Sequence, residues 1–292
     1  MKKSVKITTI LMVCALIVGM MGLLGSCAAE EEETAAQAAE EAAAAPSTDL
    51  LDEIIERGTL KVGVGIFVPW SFKDKDGNLR GFEIDVATKL AEDMGVDVEF
   101  IPTKWSGIIP ALLTGKFDVI ISGMGVTPER GLKVNFSIPY DYSGMSICAS
   151  EELAGGWYDL EDFNKEGVIL TVRMGGTPVT AAEKYMPNAE LRMFDDENQA
   201  YQEVLNGKAH ACISSAPGPE FWVNKHPDDL FLPLRGDTFT KEPIGFAVRK
   251  GELDALNYFN NWIQYYSDTG WLWDKHLYWF VGDDWRQFLA EE

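Results

Sequence analysis

Residues 115–140 read GKFDVIISGMGVTPERGLKVNFSIPY, and the rest of the chain is understood outward from this stretch. Phe117–Ser122, apolar except for Asp118 and its terminal serine, reads as a buried strand. It runs into a glycine-rich turn, Gly123–Gly125. A helix start follows: Thr127 suits the N-cap, Pro128 the first helical position and Glu129 the first turn. Backbone N–H groups at such a turn point outward, and Arg130 stands one turn further on. That arrangement suits a small anion, above all a carboxylate held at two points by one guanidinium.

On either side the chain alternates strand and helix. Leu60–Val64 reads as a strand and Asp74–Asn78 as a turn built on Asp-Gly chemistry. Phe82–Met94 is an amphipathic helix with Ile84, Ala87, Ala91 and Met94 facing inward and Gly95 beyond its end. Val96–Ile101 reads as a strand and Trp105–Leu113 as a helix, which completes an α/β lobe. A second cycle follows Tyr142. Met145–Ala149, Val168–Val172 and Ala209–Ser214 are expected strands; Pro178–Tyr185 and Asn198–Leu205 are expected helices. Ile244–Arg249 reads as a further strand, and Glu252–Phe280 as C-terminal helices. The aromatic residues from Trp262 to Trp285 suggest a carbohydrate platform, but Phe259, Trp262, Ile263 and Tyr266 fall at helical spacing and are read as core.

Composition narrows the function. The 292 residues allow one large or two medium domains, and 46% hydrophobic content allows a sizeable core. A net charge of -21 excludes a nucleic-acid partner, because phosphate binding needs a basic face. His210, His226 and His276 are scattered and there is no Cys-x-x-Cys, so neither a metal site nor a cofactor is expected.

The N-terminus reads as an address. Lys2, Lys3 and Lys6 precede an apolar run, Ile7–Leu24, and Leu24-Gly25-Ser26-Cys27 resembles a bacterial lipoprotein box. Residues 1–26 are then a signal peptide, and Cys27 becomes the lipidated first residue. The run is close to the ~18 residues of an uncleaved membrane anchor, the rival reading. Both readings place the folded part in the cell envelope, outside the cytoplasmic membrane. Residues 27–49, rich in Ala and Glu, cannot bury enough apolar surface to offset their ordering and read as a disordered tether. Ser47 or Thr48 is expected to cap a short helix that carries Leu50, Leu51, Ile54 and Ile55 and ends at Gly58. Cys148 and Cys212, in apolar strands, are either one disulfide or two buried thiols.

The 115–140 stretch resembles the corresponding segment of the family 3 extracellular solute-binding proteins, the amino-acid-type receptors of bacterial ABC importers. There Gly-Lys-x-Asp leads to Thr-x-x-Arg and then to Phe-Ser-x-Pro-Tyr. Gly58–Val64 (GTLKVGV), Asp76–Val86 (DGNLRGFEIDV), Trp105–Leu112 and Pro243–Gly251 (PIGFAVRKG) resemble further motifs of that family in the same order. The resemblance spans roughly Leu50 to Phe280. It implies the type II periplasmic-binding-protein fold: two α/β lobes joined by two crossover strands, with a ligand in the cleft. Lobe 1 would hold residues 50–141 plus 243–292, and lobe 2 residues 142–242.

The resemblance also implies a site. Arg130 aligns with the arginine that clamps a ligand carboxylate. Ser122 and Gly123 stand where the family offers hydroxyl and backbone partners, and Gly125 where many relatives carry a hydroxyl. Trp105 aligns with a side chain over the ligand. Phe67 is an open-loop candidate, and Trp70 takes the place of the family's phenylalanine and is read as core rather more than as site. Thr177 matches a hydroxyl at a helix start that binds the same carboxylate. Arg173 departs from the neutral residue usual there and is either a second cation at the cleft or a solvated arginine at its rim. Ser215 departs more sharply, because relatives that bind α-amino acids carry Asp there against the ligand ammonium; Glu220 and Asp141 are the acids that could substitute. The implied protein is a monomeric, non-enzymatic substrate-binding component of an ABC importer. Its partners would be the permease and a small carboxylate-bearing solute, a polar amino acid or related organic acid. The alternative is a prephenate or arogenate dehydratase-like enzyme on the same scaffold.

Overall fold

The computed structural model describes residues 49–289. The expected signal peptide, Cys27, the tether and the Ser47/Thr48 cap lie outside them. The first helix, α1 (Leu50–Arg57), is capped by Asp49, one or two residues later than expected. The reason is tertiary. Asp49 Oδ1 accepts from Leu51 N at 2.9 Å and from Ala255 N at 3.2 Å, so one carboxylate serves the starts of two helices.

Strand β1 (Thr59–Val64) leads to a short hairpin, β2 (Phe72–Lys73) and β3 (Leu79–Arg80). Its turn is held by Asp74, whose carboxylate accepts from Asp76 N and Asn78 N. Helix α2 (Phe82–Met94) has the expected bounds and buries Ile84, Ala87 and Ala91, together with the acid Glu83. β4 (Asp97–Pro102) follows; a 3-10 turn at Trp105–Gly107 then leads into α3 (Ile108–Leu113). β5 (Val119–Ile120) is shorter than the apolar run around it, because it pairs only with Val62 and Gly63 on one side and Val248 and Ala247 on the other. α4 (Pro128–Gly131) and β6 (Asn135–Phe136) complete this part.

β7 (Asp141–Ser143) carries the chain across to a second sheet. There β8 (Met145–Ser150), α5 (Glu151–Ala154), α6 (Leu160–Phe163), β9 (Ile169–Arg173), α7 (Thr177–Tyr185), β10 (Glu190–Phe194), α8 (Glu197–Leu205), β11 (Ala211–Ser215), α9 (Gly218–Lys225) and β12 (Leu230–Phe231) follow in turn. β13 (Glu242–Ile244) crosses back, antiparallel to β7 with Glu242 opposite Ser143. β14 (Ala247–Val248) then inserts between β5 and β6, and α10 (Leu253–Asp268) and α11 (Trp271–His276) follow. The expected strand Ile244–Arg249 is therefore two strands, one in the crossing and one in the sheet.

The sheets run β4-β1-β5-β14-β6 and β10-β9-β11-β8-β12. This is the two-lobed type II arrangement, with both crossings side by side. Lobe 1 packs Val62, Phe82, Leu90, Ile120, Phe246, Phe259 and Ile263 into one core. Each such side chain contributes about 1.5–3 kcal/mol of burial. Trp262, Trp279 and Trp285 are buried in the same core, so this aromatic C-terminus is packing rather than a platform. In lobe 2, Ile147, Leu170, Val172 and Ile213 fill one face of the sheet. Cys148 and Cys212 face each other on the other side as free buried thiols, and burial pushes Cys148 up to about 12. Among the described residues no helix is long and apolar enough to cross a membrane.

Candidate functional site

A cavity of about 970 Å³ lies between the lobes. Trp105, Met124, Thr127 and Arg130 line it from lobe 1, Gly175–Thr177 from lobe 2, and Thr240–Glu242 from the returning crossing. Arg130 is delivered by α4. Thr127 caps that helix by accepting from Arg130 N at 3.2 Å, and Pro128 starts it. The guanidinium then bridges the lobes: Nη1 donates to Gly125 O at 2.9 Å and Nη2 to Gly175 O at 3.2 Å. Trp105 Nε1 donates to the same Gly175 carbonyl at 3.1 Å. Burial pulls Arg130 below its ordinary value, against the opposing influence of Glu242.

Thr177 opens α7 and donates its hydroxyl to Glu242 Oε2 at 2.8 Å. A Cβ at Gly125 would sit 3.0 Å from Glu242 Oε2 and 3.5 Å from Arg130 Nη1. A side chain at Gly125 would crowd the Glu242 carboxylate, which glycine avoids. Burial raises the Glu242 pKa, while Thr177 and Arg130 lower it. Sequence reasoning missed Glu242. Its only sequence signal was position, one residue ahead of the PIGFAVRKG motif.

The other expected residues divide. Ser122 is fully buried and accepts from Gly65 N at 2.7 Å, so its hydroxyl fixes the end of β1. Gly123 N donates to Glu83 Oε1 at 2.6 Å, and that carboxylate also accepts from Tyr140 Oη. Gly123 itself is obligatory: its φ is +58°, and a Cβ would meet Phe67 at 2.9 Å and Trp70 at 3.0 Å. Phe67 is buried, contrary to the open loop expected, and stacks on Trp70. Trp70 is core, packed against Phe82 and Phe280, and lines none of this cavity.

Arg173 is neither solvated nor at the rim. It is 7% exposed at the end of β9, with Nη1 3.2 Å from Glu197 Oε2. Its guanidinium lies 4.5 Å over the Phe67 ring and 4.2 Å over Trp105. Ser215 ends β11 half-buried and does not line the cavity. Asp141 is paired with His276 at 2.9 Å, and Glu220 is exposed, so the acid that binds Thr177 and acts on Arg130 through its charge is Glu242 instead. Among the described residues no group of three or more His, Cys, Asp or Glu is placed to hold a metal ion.

The two-lobed fold with a polar cleft defines a class of binding protein, and the comparisons agree. The family model for bacterial extracellular solute-binding proteins, family 3, matches residues 60–282. The chain belongs to this family. The L-cystine-binding protein TcyJ of Escherichia coli K12 is 32% identical over 235 residues, covering 80% of this chain and 87% of that one. An ancestral amino acid-binding protein, described as a precursor of cyclohexadienyl dehydratase, superposes with a TM-score of 0.73 at 43% identity, over 79% of this chain and 99% of the other. An ancestral arginine-binding protein bound to arginine gives 0.70 at 36% identity, over 77% and 99%. The chain is thus a solute-binding component of the amino-acid-transport type.

Proposed function

We propose that this protein is an envelope lipoprotein that captures a small solute by its carboxylate and presents it to an ABC permease. The observation that carries this is the convergence of Arg130, from lobe 1, and Gly175 and Thr177, from lobe 2, on one cavity. The carboxylate displaces two neutral backbone carbonyls from Arg130 and takes the place of Glu242 at Thr177. Charge-assisted, bidentate pairing makes that exchange favourable. Binding from both sides stabilises the closed lobes, the form a permease can distinguish. The soluble part acts as a monomer and performs no chemistry. Cys27 carries the anchor, and residues 27–49 give it reach.

A thermal-shift screen over amino acids, keto acids, dicarboxylates and betaines tests the reading. Carboxylate compounds should raise Tm in the wild type and fail to do so in Arg130→Ala. A screen with no carboxylate hit removes the proposal.

One observation favours a second reading. Glu242 is a carboxyl group of raised pKa inside the cavity, and an ancestral relative is described as a dehydratase precursor. Incubation with prephenate should yield no phenylpyruvate if the protein only binds. Catalytic formation of phenylpyruvate that Glu242→Gln abolishes establishes the enzyme.

A further inference from the structure

Trp105 stands between two cations. The Arg130 guanidinium lies 5.6 Å from its ring centre, and Arg173 lies 4.2 Å from it. Arg130 faces the main cavity. Arg173 faces a second cavity of about 470 Å³, which Trp105 also walls together with Gly65, Lys104, Asp195 and Gln199. Trp105 walls both cavities, so Arg173 lies within reach of a solute that is fixed at Arg130 and extends past the indole.

The surroundings of Arg173 are built to keep it there. Phe67 and Trp105 meet edge to face, with ring centres 6.2 Å apart, and the guanidinium sits in the corner that they form. Glu197 compensates the charge from below and is itself bound by the Ser214 hydroxyl. Even so, Arg173 Nε is buried and has no hydrogen-bond partner among the described residues. A buried N–H without an acceptor is costly, and a ligand oxygen would relieve it. The same aromatic pair would otherwise offer a desolvated seat for a ligand cation. Here the chain's own cation fills that seat.

We propose that Arg173 sets the ligand class of the cleft: it occupies the aromatic corner of Phe67 and Trp105 and selects solutes whose far end is a hydrogen-bond acceptor, a carboxylate or an amide, over those whose far end is a cation. The inference rests on the reading of Arg130 as the carboxylate clamp. A cationic side chain meets like charge and a filled corner, whereas an acceptor meets an unused N–H.

Titration calorimetry with L-glutamate, L-glutamine, L-lysine and L-arginine tests this on the wild type, Arg173→Ala and Arg173→Lys. The wild type should bind glutamate or glutamine at least tenfold more tightly than arginine. Arg173→Ala should gain at least tenfold for arginine, whereas Arg173→Lys, which keeps the charge, should not. Because Arg173→Ala leaves Glu197 buried without its cation, the double variant Arg173→Ala/Glu197→Gln repeats the test in a neutral pocket and should show the same gain. Wild-type binding of arginine as tight as that of glutamate and glutamine overturns the inference. So does an unchanged ranking in both folded variants. Arg130→Ala separates the two levels: if it binds as well as the wild type, the clamp reading fails, while the comparison of Arg173 variants still decides the preference.

Discussion

Arg130 is committed on two sides, to Gly125 in its own lobe and to Gly175 across the cleft. Replacing it by alanine removes a charge-assisted grip and should weaken binding of a carboxylate solute by roughly 2–4 kcal/mol, read by calorimetry. A loss below tenfold would remove Arg130 from the clamp. Glu242 holds the Thr177 hydroxyl and sets a like charge near an incoming carboxylate, so Glu242→Gln should tighten binding of an organic acid without an amine severalfold. Weaker binding would show instead that Glu242 grips the solute. Glu83 makes a different prediction. Burial raises its pKa to about 8, against hydrogen bonds from Tyr140 and Gly123 that lower it. The unfolded carboxyl titrates near 4.5. Between these values the native state holds the proton that the unfolded state has released, so this stabilisation is complete below pH 4.5 and is lost as pH rises through 8. Urea midpoints of the wild type should therefore fall from pH 5 to pH 8 more steeply than those of Glu83→Gln. Parallel profiles would reject the assignment.

At the level of elements, the shortest helix at the cavity carries its principal cation. α4 has four residues and one side-chain cap, the Thr127 hydroxyl. Thr127→Ala should cost about 1 kcal/mol of stability, seen as a lower urea midpoint, and should weaken solute binding because Arg130 loses its seat. Thr127→Ser should restore both. The cap, the proline and the glycine turn were legible because their signals are local. The shortness of β5 was not, because the neighbouring strands decide how far an apolar run is paired. Likewise the sequence left Cys148 and Cys212 open between thiols and a disulfide. Strand pairing sets them opposite each other as free thiols, so denatured, unreduced protein lacking residues 1–27 should titrate two thiols with Ellman's reagent.

For the whole molecule, the lobes meet through groups distant in sequence. Lys104 and Ser106 reach Asp195 at 3.2 Å, and Trp105 and Arg130 reach Gly175. The exposed Lys104–Asp195 pair contributes little, because solvent screens it. The lipid anchor is tested at this scale. Cys27→Ala should leave a larger, unprocessed precursor on immunoblots, and mass spectrometry of native membranes showing an unmodified Cys27 would reject lipidation.

The sequence by itself determined the fold class, the family, the two α/β cycles and Arg130 with its capped helix. These rest on local pattern: hydrophobic period, turn chemistry and short motifs act within one or two turns of chain. Only the tertiary structure decided which polar groups are spent and which are free. Ser122 and Gly123 N are consumed inside lobe 1, because the end of β1 and the buried Glu83 need a donor or acceptor there. Arg173 becomes buried because Phe67 and Trp105, more than 60 residues away in sequence, close over it. Glu242 joins Thr177 because β13 crosses beside β7 and brings it there. Hydrogen-bond and charge partners of this kind are chosen by proximity in space, and proximity in space between residues 40 to 106 positions apart is set by how the chain packs, which no local pattern encodes.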